Sequence, residues 1–203
     1  LAITNSGNSD LQPDWVWIKE RNGTRDHSIF DSVRGVVKRL ESNTSNAEGD
    51  ETAGLLSLNS DGFTVGADGY VNTDDNTYVA WQWKETADAG FDIVSYTGNA
   101  TGGRTIAHSL SAVPAMMIVK NRAASIKWAV YHHKNTAAPA TDHLKLNADD
   151  ATADDDSTWN DTAPTSSVFS VGGSTSTNGD STAYIAYLFA EKQGYSKFGS
   201  YTG

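Results

Sequence analysis

Acidic side chains crowd one stretch of the chain, Asp149-Asp150 followed by Asp154-Asp155-Asp156. Carboxylates gathered in a loop are the oxygen donors that calcium takes, so Ca2+ is the one cofactor the residue types offer. The run lacks the D-x-D-x-D-G spacing of a calcium loop, and clustered loop charges are ordinarily just solvated. The balance favours no cofactor and no metal ligands. Asp68, Asp74 and Asp75, beside Gly69, Asn72 and Asn76, form a weaker set of the same kind. The histidines are His27, His108, His143 and the adjacent pair His132-His133. Neighbours on a strand point to opposite faces, so the pair is not expected to hold one ion and reads as polar surface.

Catalytic grammar is equally thin. Glycoside hydrolysis needs two acids facing each other across a cleft, whereas Glu85 and Glu191 stand one to each half of the chain. No G-x-S-x-G places a serine nucleophile. Thr101-Gly102-Gly103-Arg104 has the look of a turn, not of a phosphate loop. No catalytic residue is assigned, and the chain is expected not to be an enzyme. Lys19 with Arg21, and Lys120 with Arg122, end two similar strands. They are expected to be structural, pairing with Asp or Glu of a neighbouring strand or module. Six Trp supply core payload, or, where exposed, a platform on which a sugar stacks.

Composition bounds the partners. Over 203 residues the net charge is −10. That disfavours nucleic acid, whose phosphates call for Lys and Arg clusters, and an anionic membrane surface. Cysteine is absent, which rules out disulfides and thiolate metal sites. No apolar run approaches the ~20 residues that span a bilayer, so membrane insertion is not expected. At Leu1 there is no basic and apolar leader pattern, and the missing initiator Met points to processing or a fragment. Turn formers separate short Val, Ile and aromatic runs, the pattern of an all-β chain.

The elements that carry these residues come in duplicate. PDWVWIKER at 13–21 is answered by PAMMIVKNR at 114–122, and GFTVG at 62–66 by VFSVG at 168–172. TYVAWQWKE at 77–85 matches AYIAYLFAE at 183–191, and SYTG at 95–98 recurs at 200–203. The offset drifts only from 101 at Pro13/Pro114 to 106 at Tyr78/Tyr184. Four collinear blocks at a near-constant offset predict a tandem repeat. With roughly six or seven short strands per copy, the fold expected is all-β, two tandem β-sandwich modules. The first module is placed at 1–90 and the second at 91–192. Residues 193–203 read as the opening strand of a third, ordered and paired, so the array is expected to run on past Gly203. The stretch from Ile29 to Leu40 has helix-compatible spacing but reads as strand by its counterpart in the second copy. Polar loops are expected at 41–53 and 147–166. Tyr70, Tyr195 and Phe198 are candidates for a contact surface.

The blocks PDWVWIKERNGTRDHSIFDSVRG, NSDGFTVG, YVAWQWKE, IVSYTGN, IVKNR, APTSSVFSVG, AYIAYLFAE and GYSKFGSYTG span nearly the whole chain. In that order they resemble a domain of unknown function repeated in tail-fibre-like virion proteins of marine bacteriophages. WIK-x-R, FDSVRG and KFGSYTG carry most of the resemblance, and FDSVRG occurs in the first type of module only. The resemblance brings no catalytic residues. It implies a structural or adhesion role on a virion, in a tail fibre or other appendage. It also implies self-association or contact with other virion proteins. A host-surface glycan is the ligand an adhesion role would take. The alternative is a carbohydrate-binding module of a bacterial surface protein or polysaccharide-degrading enzyme, marked by one shallow aromatic groove per module.

Overall fold

The computed structural model describes residues 1–7 and 10–203, and the chain divides into two compact units, Leu1–Glu85 and Thr86–Gly203. Among the described residues the regular structure is several antiparallel sheets and one four-residue helix. The chain is therefore all-β.

In the first unit the strands are β1 (Ala2–Ile3), β2 (Trp15–Glu20), β3 (Ser28–Asp31), β4 (Lys38–Arg39), β5 (Gly49–Asp50), β6 (Leu55–Asn59), β7 (Gly62–Val65) and β8 (Tyr78–Trp83). They form sheets ordered β1-β7-β6 and β3-β2-β8, with β4-β5 apart. Strand alternation sorts the side chains of β2. Val16 and Ile18 join Phe30, Leu55, Phe63, Val65 and Val71 in one core to which both three-stranded sheets contribute. Trp15, Trp17 and Lys19 take the other face. The Ile29–Leu40 stretch is two strands and a turn, closed by a bridge between Ile29 and Leu40. Its helix-like spacing is spread over a short strand, a turn and a second short strand, not one helical face.

The second unit contains β9 (Phe91–Thr97), β10 (Arg104–Ala107), β11 (Met116–Asn121), β12 (Ala129–His132), β13 (Asp142–Lys145), β14 (Ala153–Asp154), α1 (Asp156–Trp159), β15 (Val168–Val171) and β16 (Ala183–Phe189). Six strands run β14-β13-β12-β11-β16-β9, and β10-β15 form a second sheet. Met117, Val119, Tyr184, Ala186 and Leu188 of the large sheet pack with Ile106, Phe169 and Val171 of the small one, and Trp159 joins them. The expected polar loop at 147–166 thus carries β14 and a helical turn. Asp155 caps that turn by accepting from the Ser157 N–H, and Asn160 ends it in the left-handed region at φ 55°.

Two glycines explain why one block ends alike in both units. A Cβ on Gly66 would collide with the Ala53 carbonyl, and one on Gly172 with the Ser157 carbonyl. Each glycine lets two backbone segments meet: Gly66 N–H donates to Gly54 O at 2.7 Å, and Gly172 N–H to Thr158 O at 3.1 Å. A side chain at either site would push the segments apart.

The tail departs from expectation. Residues 193–203 form no strand. A turn closed by the Lys192–Ser196 bridge leads into an extended end. The strand that pairs with β9, the tail's repeat counterpart, is β16, and both of its edges are already taken, by β11 and β9.

Candidate functional site

The strand-end lysines hold backbone carbonyls. The Lys120 side chain is fully buried. Its Nζ donates to the carbonyls of Asn121 (2.8 Å), Ala124 (3.1 Å) and Ile126 (3.0 Å). Burial pulls its ammonium down to about 8, because desolvation disfavours the charged form. Lys19 does the same for Glu20 O (2.6 Å) and Gly23 O (3.3 Å). Each lysine thus clamps the turn that follows its strand. A cation reaching several carbonyls stabilises a tight turn whose orphan acceptors would otherwise need water.

Two acids of the acidic loop, Asp150 and Asp155, hold structure. Asp150 accepts from Lys127 at 2.8 Å and Lys145 at 2.9 Å, and these two ammonium groups hold its carboxyl down at about 2. Asp155 is the cap of α1, and the hydroxyl of Ser157 leads the contacts that lower its carboxyl below the usual range. Asp154 lies in β14 opposite Asp142. In the first unit Asp68 accepts from the Tyr70 N–H at 2.9 Å and shapes a turn. Among the described residues no three such donors converge on a metal position.

His132 and His133 come together, contrary to the opposite-faces expectation. Their ring centroids are 5.6 Å apart, because β12 ends at His132 and strand alternation ends with it. Burial, then His133, lowers the His132 imidazole. His133 Nε2 lies 3.7 Å from Glu191 Oε1, and Lys197 Nζ donates to Glu191 Oε2 at 2.6 Å. Phe198 rests near His132 and Phe189. This cluster anchors the tail turn. The Glu85 N–H donates to Asp14 Oδ2 at 2.8 Å. Thr101-Gly102-Gly103 is a turn into β10, as expected.

FDSVRG forms a buried ionic knot that sequence reasoning did not find. Arg34 Nε donates to Asp31 Oδ2 at 2.6 Å, Nη1 to Glu48 at 3.0 Å and Lys38 O at 3.0 Å, and Nη2 to Ile29 O at 3.2 Å. The spacing D-x-x-R was its only sequence signal. Tyr70 is likewise engaged: the Arg39 guanidinium lies 3.8 Å above its ring and that of Arg25 5.1 Å.

Two features remain open. On the face of β2 and β8 turned from the core, Trp15, Trp17, Trp81 and Trp83 form a ladder of ring contacts 4.6 to 5.7 Å between centroids. Trp17 Nε1 donates to His27 Nδ1 at 2.7 Å, and Trp81 is 43% exposed. Burial, then Lys19, lowers the His27 imidazole and so favours its accepting form. On the core side, beside the outer edge of β8, lies an apolar cavity of about 190 Å³. Ile3, Ile18, Phe63, Val65, Tyr78 and Ala80 line it, with Asn72 and Asn76 at its rim.

These antiparallel sheets, with their polar groups turned to backbone and turns, define an all-β domain. The chain belongs to the family described as a domain of unknown function (DUF7483), whose model matches residues 3–203 and so covers both units. No curated protein and no solved structure matches the chain.

Proposed function

We propose that this chain is a non-enzymatic structural and adhesion module of a bacteriophage virion, part of a tail fibre or similar appendage, made of two tandem β-sandwich copies of one design. The observation that carries the repeat is a common grammar of pairing. Trp15 stands opposite Asp31 and Trp83, and its counterpart Met116 stands opposite His132 and Phe189. Lys38 faces Asp50, and its counterpart Asp142 faces Asp154. Asn72 Nδ2 donates to Gly66 O at 2.7 Å, and Asn178 Nδ2 to Gly172 O at 2.7 Å. The hydroxyls of Tyr78 and Tyr184 accept from the N–H groups of Thr73 and Gly179. Each pair keeps the offset read from the sequence blocks.

The virion assignment rests on the WIK-x-R, FDSVRG and KFGSYTG blocks. A scaffold role is supported by where the polar chemistry goes: lysines and acids that were candidates for a site hold turns and caps. Mass spectrometry of purified particles tests it. Peptides of this chain in stoichiometric amount are expected. Their confinement to the soluble fraction of infected cells would reject the assignment.

A second reading, carbohydrate binding, is favoured by one observation, the neighbouring Trp17 and Trp81 rings. Their counterparts in the second unit are Ile118 and Tyr187, so the platform belongs to the first unit rather than once to each. Glycan-array binding lost on Trp81→Ala would support it.

A further inference from the structure

The first unit gathers positive charge at one place where its own acids leave it unbalanced. Arg39, on β4, holds its guanidinium 3.8 Å from the centroid of the Tyr70 ring. The Arg25 guanidinium lies 5.1 Å from the same centroid. Two cations at one ring repel each other unless an anion or solvent screens them. The acid paired with Arg39 is Glu41, and its two oxygens are divided. Oε1 lies 3.1 Å from Arg39 Nη2, while Oε2 accepts from Thr44 Oγ1 at 3.0 Å and Asn46 Nδ2 at 2.8 Å. Asp68, two residues before Tyr70, accepts from the Tyr70 N–H at 2.9 Å and shapes the turn.

Both arginines keep donors in hand. Arg25 stands exposed in the loop between β2 and β3, and among the described residues its guanidinium has no ion pair or hydrogen bond. Arg39 Nη1 is buried and has no acceptor. A buried donor without a partner is costly, so a ligand oxygen at Nη1 would gain what the chain forgoes. Contact with one rigid ring holds each guanidinium in place. A guanidinium fork takes two oxygens of a carboxylate or phosphate at once.

The rest of the molecule narrows the class of anion. A net charge of −10 repels a polyanion such as nucleic acid. A ligand with one isolated charge answers mainly to the cations nearest it, because salt screens the rest. The Tyr70 hydroxyl is unengaged among the described residues, which suits a ligand with hydroxyls beside its acid group. An acidic sugar has that chemistry. On the repeat reading the counterparts of Arg25, Arg39 and Tyr70 are Ile126, His143 and Ser176. The second unit builds its lysine clamp and its β13-β14 pair without the two arginines and the tyrosine, so the shared design does not require them.

We propose that Arg25, Arg39 and Tyr70 form a binding site for an acidic saccharide. The two guanidinium groups share its carboxylate or phosphate oxygens, and a sugar hydroxyl meets Tyr70 Oη. The site is separate from the tryptophan ladder, since Tyr70 packs against the core of the first unit and the ladder lies on the opposite face of β2 and β8. Its saccharide class rests on the adhesion reading; the anion-holding geometry does not.

The test uses the 203-residue chain, nitrogen-labelled, with glucuronate and a hexose phosphate as probes. Glucose is the neutral control, and acetate and inorganic phosphate are the bare anions. Expected are saturable shifts of the Arg25 and Arg39 side-chain N–H signals and the Tyr70 amide with an acidic sugar, weakened by added salt, and none with glucose. The tighter of the two acidic sugars identifies the oxyanion. Arg25→Ala should weaken binding roughly tenfold, the effect of losing a charge-assisted hydrogen bond. Arg25→Lys, which keeps the charge without the fork, should weaken it less. Tyr70→Phe, which keeps the ring, should cost severalfold. Circular dichroism and an unchanged Tm check that the Arg25 variants fold. No saturable shift with either acidic sugar overturns the proposal, as do shifts that survive Arg25→Ala. Acetate or inorganic phosphate binding as tightly as the sugars would overturn the saccharide assignment. Loss of binding on Trp81→Ala but not on Arg25→Ala would place the sugar on the tryptophan face and overturn this site. Particles that fail to attach to host cells while the shifts persist would reject the adhesion reading alone.

Discussion

Arg34 Nε lies 2.6 Å from Asp31 Oδ2, with both side chains wholly shielded from solvent. The pair closes the turn between β3 and β4, and Arg34 N–H adds a bond to Asp31 Oδ1 at 2.7 Å. A buried ion pair adds little net stability, yet losing one partner strands the other charge. Arg34→Leu is therefore expected to cost about 3–5 kcal/mol, read as a lower urea midpoint. Replacing Asp31 by Asn in that background should recover part of the loss. A single variant as stable as the parent would show the knot to be dispensable.

That knot marks a limit of sequence reading. The apolar runs of β2, β8, β11 and β16 were legible because their alternation survives into the sheets. FDSVRG was legible as a block, but nothing in it says that its arginine is buried. Lys120 was legible as a structural residue, but the carbonyls it holds belong to a turn that only the fold brings back to it. The helix α1 was missed since DSTW has no apolar period; its stability comes from the Asp155 cap and from burying Trp159. The cavity beside β8 could be found only by comparing what surrounds Tyr78 with what surrounds Tyr184.

Lys120 gives the fold a specific alkaline signature. Its ammonium titrates near 8 in the native state against 10.5 in the unfolded chain. Between those values the unfolded chain holds the extra proton, so stability from this group rises with pH. From pH 8 to 10 the rise should reach about 2 kcal/mol. Lys120→Met should abolish that slope in urea unfolding. Above pH 10 the sign reverses. Burial raises the phenols of Tyr96 and Tyr184, so the unfolded chain ionises first and stability falls.

Calcium should leave the protein unchanged. Asp150 already serves Lys127 and Lys145, and Asp155 serves the start of α1. Recruiting them would break those contacts and bring Ca2+ fewer than the six to eight oxygens it takes. Calorimetric titration is expected to show no heat of binding, and a chelator no shift in Tm. A saturable isotherm removed by Asp150→Asn would restore the metal reading.

The two counterpart asparagines should differ in worth, although their shared bond is the same. Asn178 is fully buried. Its Nδ2 donates to Gly172 O at 2.7 Å and Thr101 O at 2.9 Å, and its Oδ1 accepts from the Asn99 N–H at 3.0 Å. It thereby ties the end of β9 to the turn after β15. Alanine there leaves several backbone groups without partners away from water, a loss of about 2–4 kcal/mol. Asn72 is half-buried and holds the Gly66 carbonyl. Asn72→Ala should cost about 1 kcal/mol. Urea unfolding, followed by amide exchange at β7 and β15 to assign each loss to its unit, reads both. Equal costs would mean that the bonds to Thr101 and Asn99 add nothing to the asparagine's role.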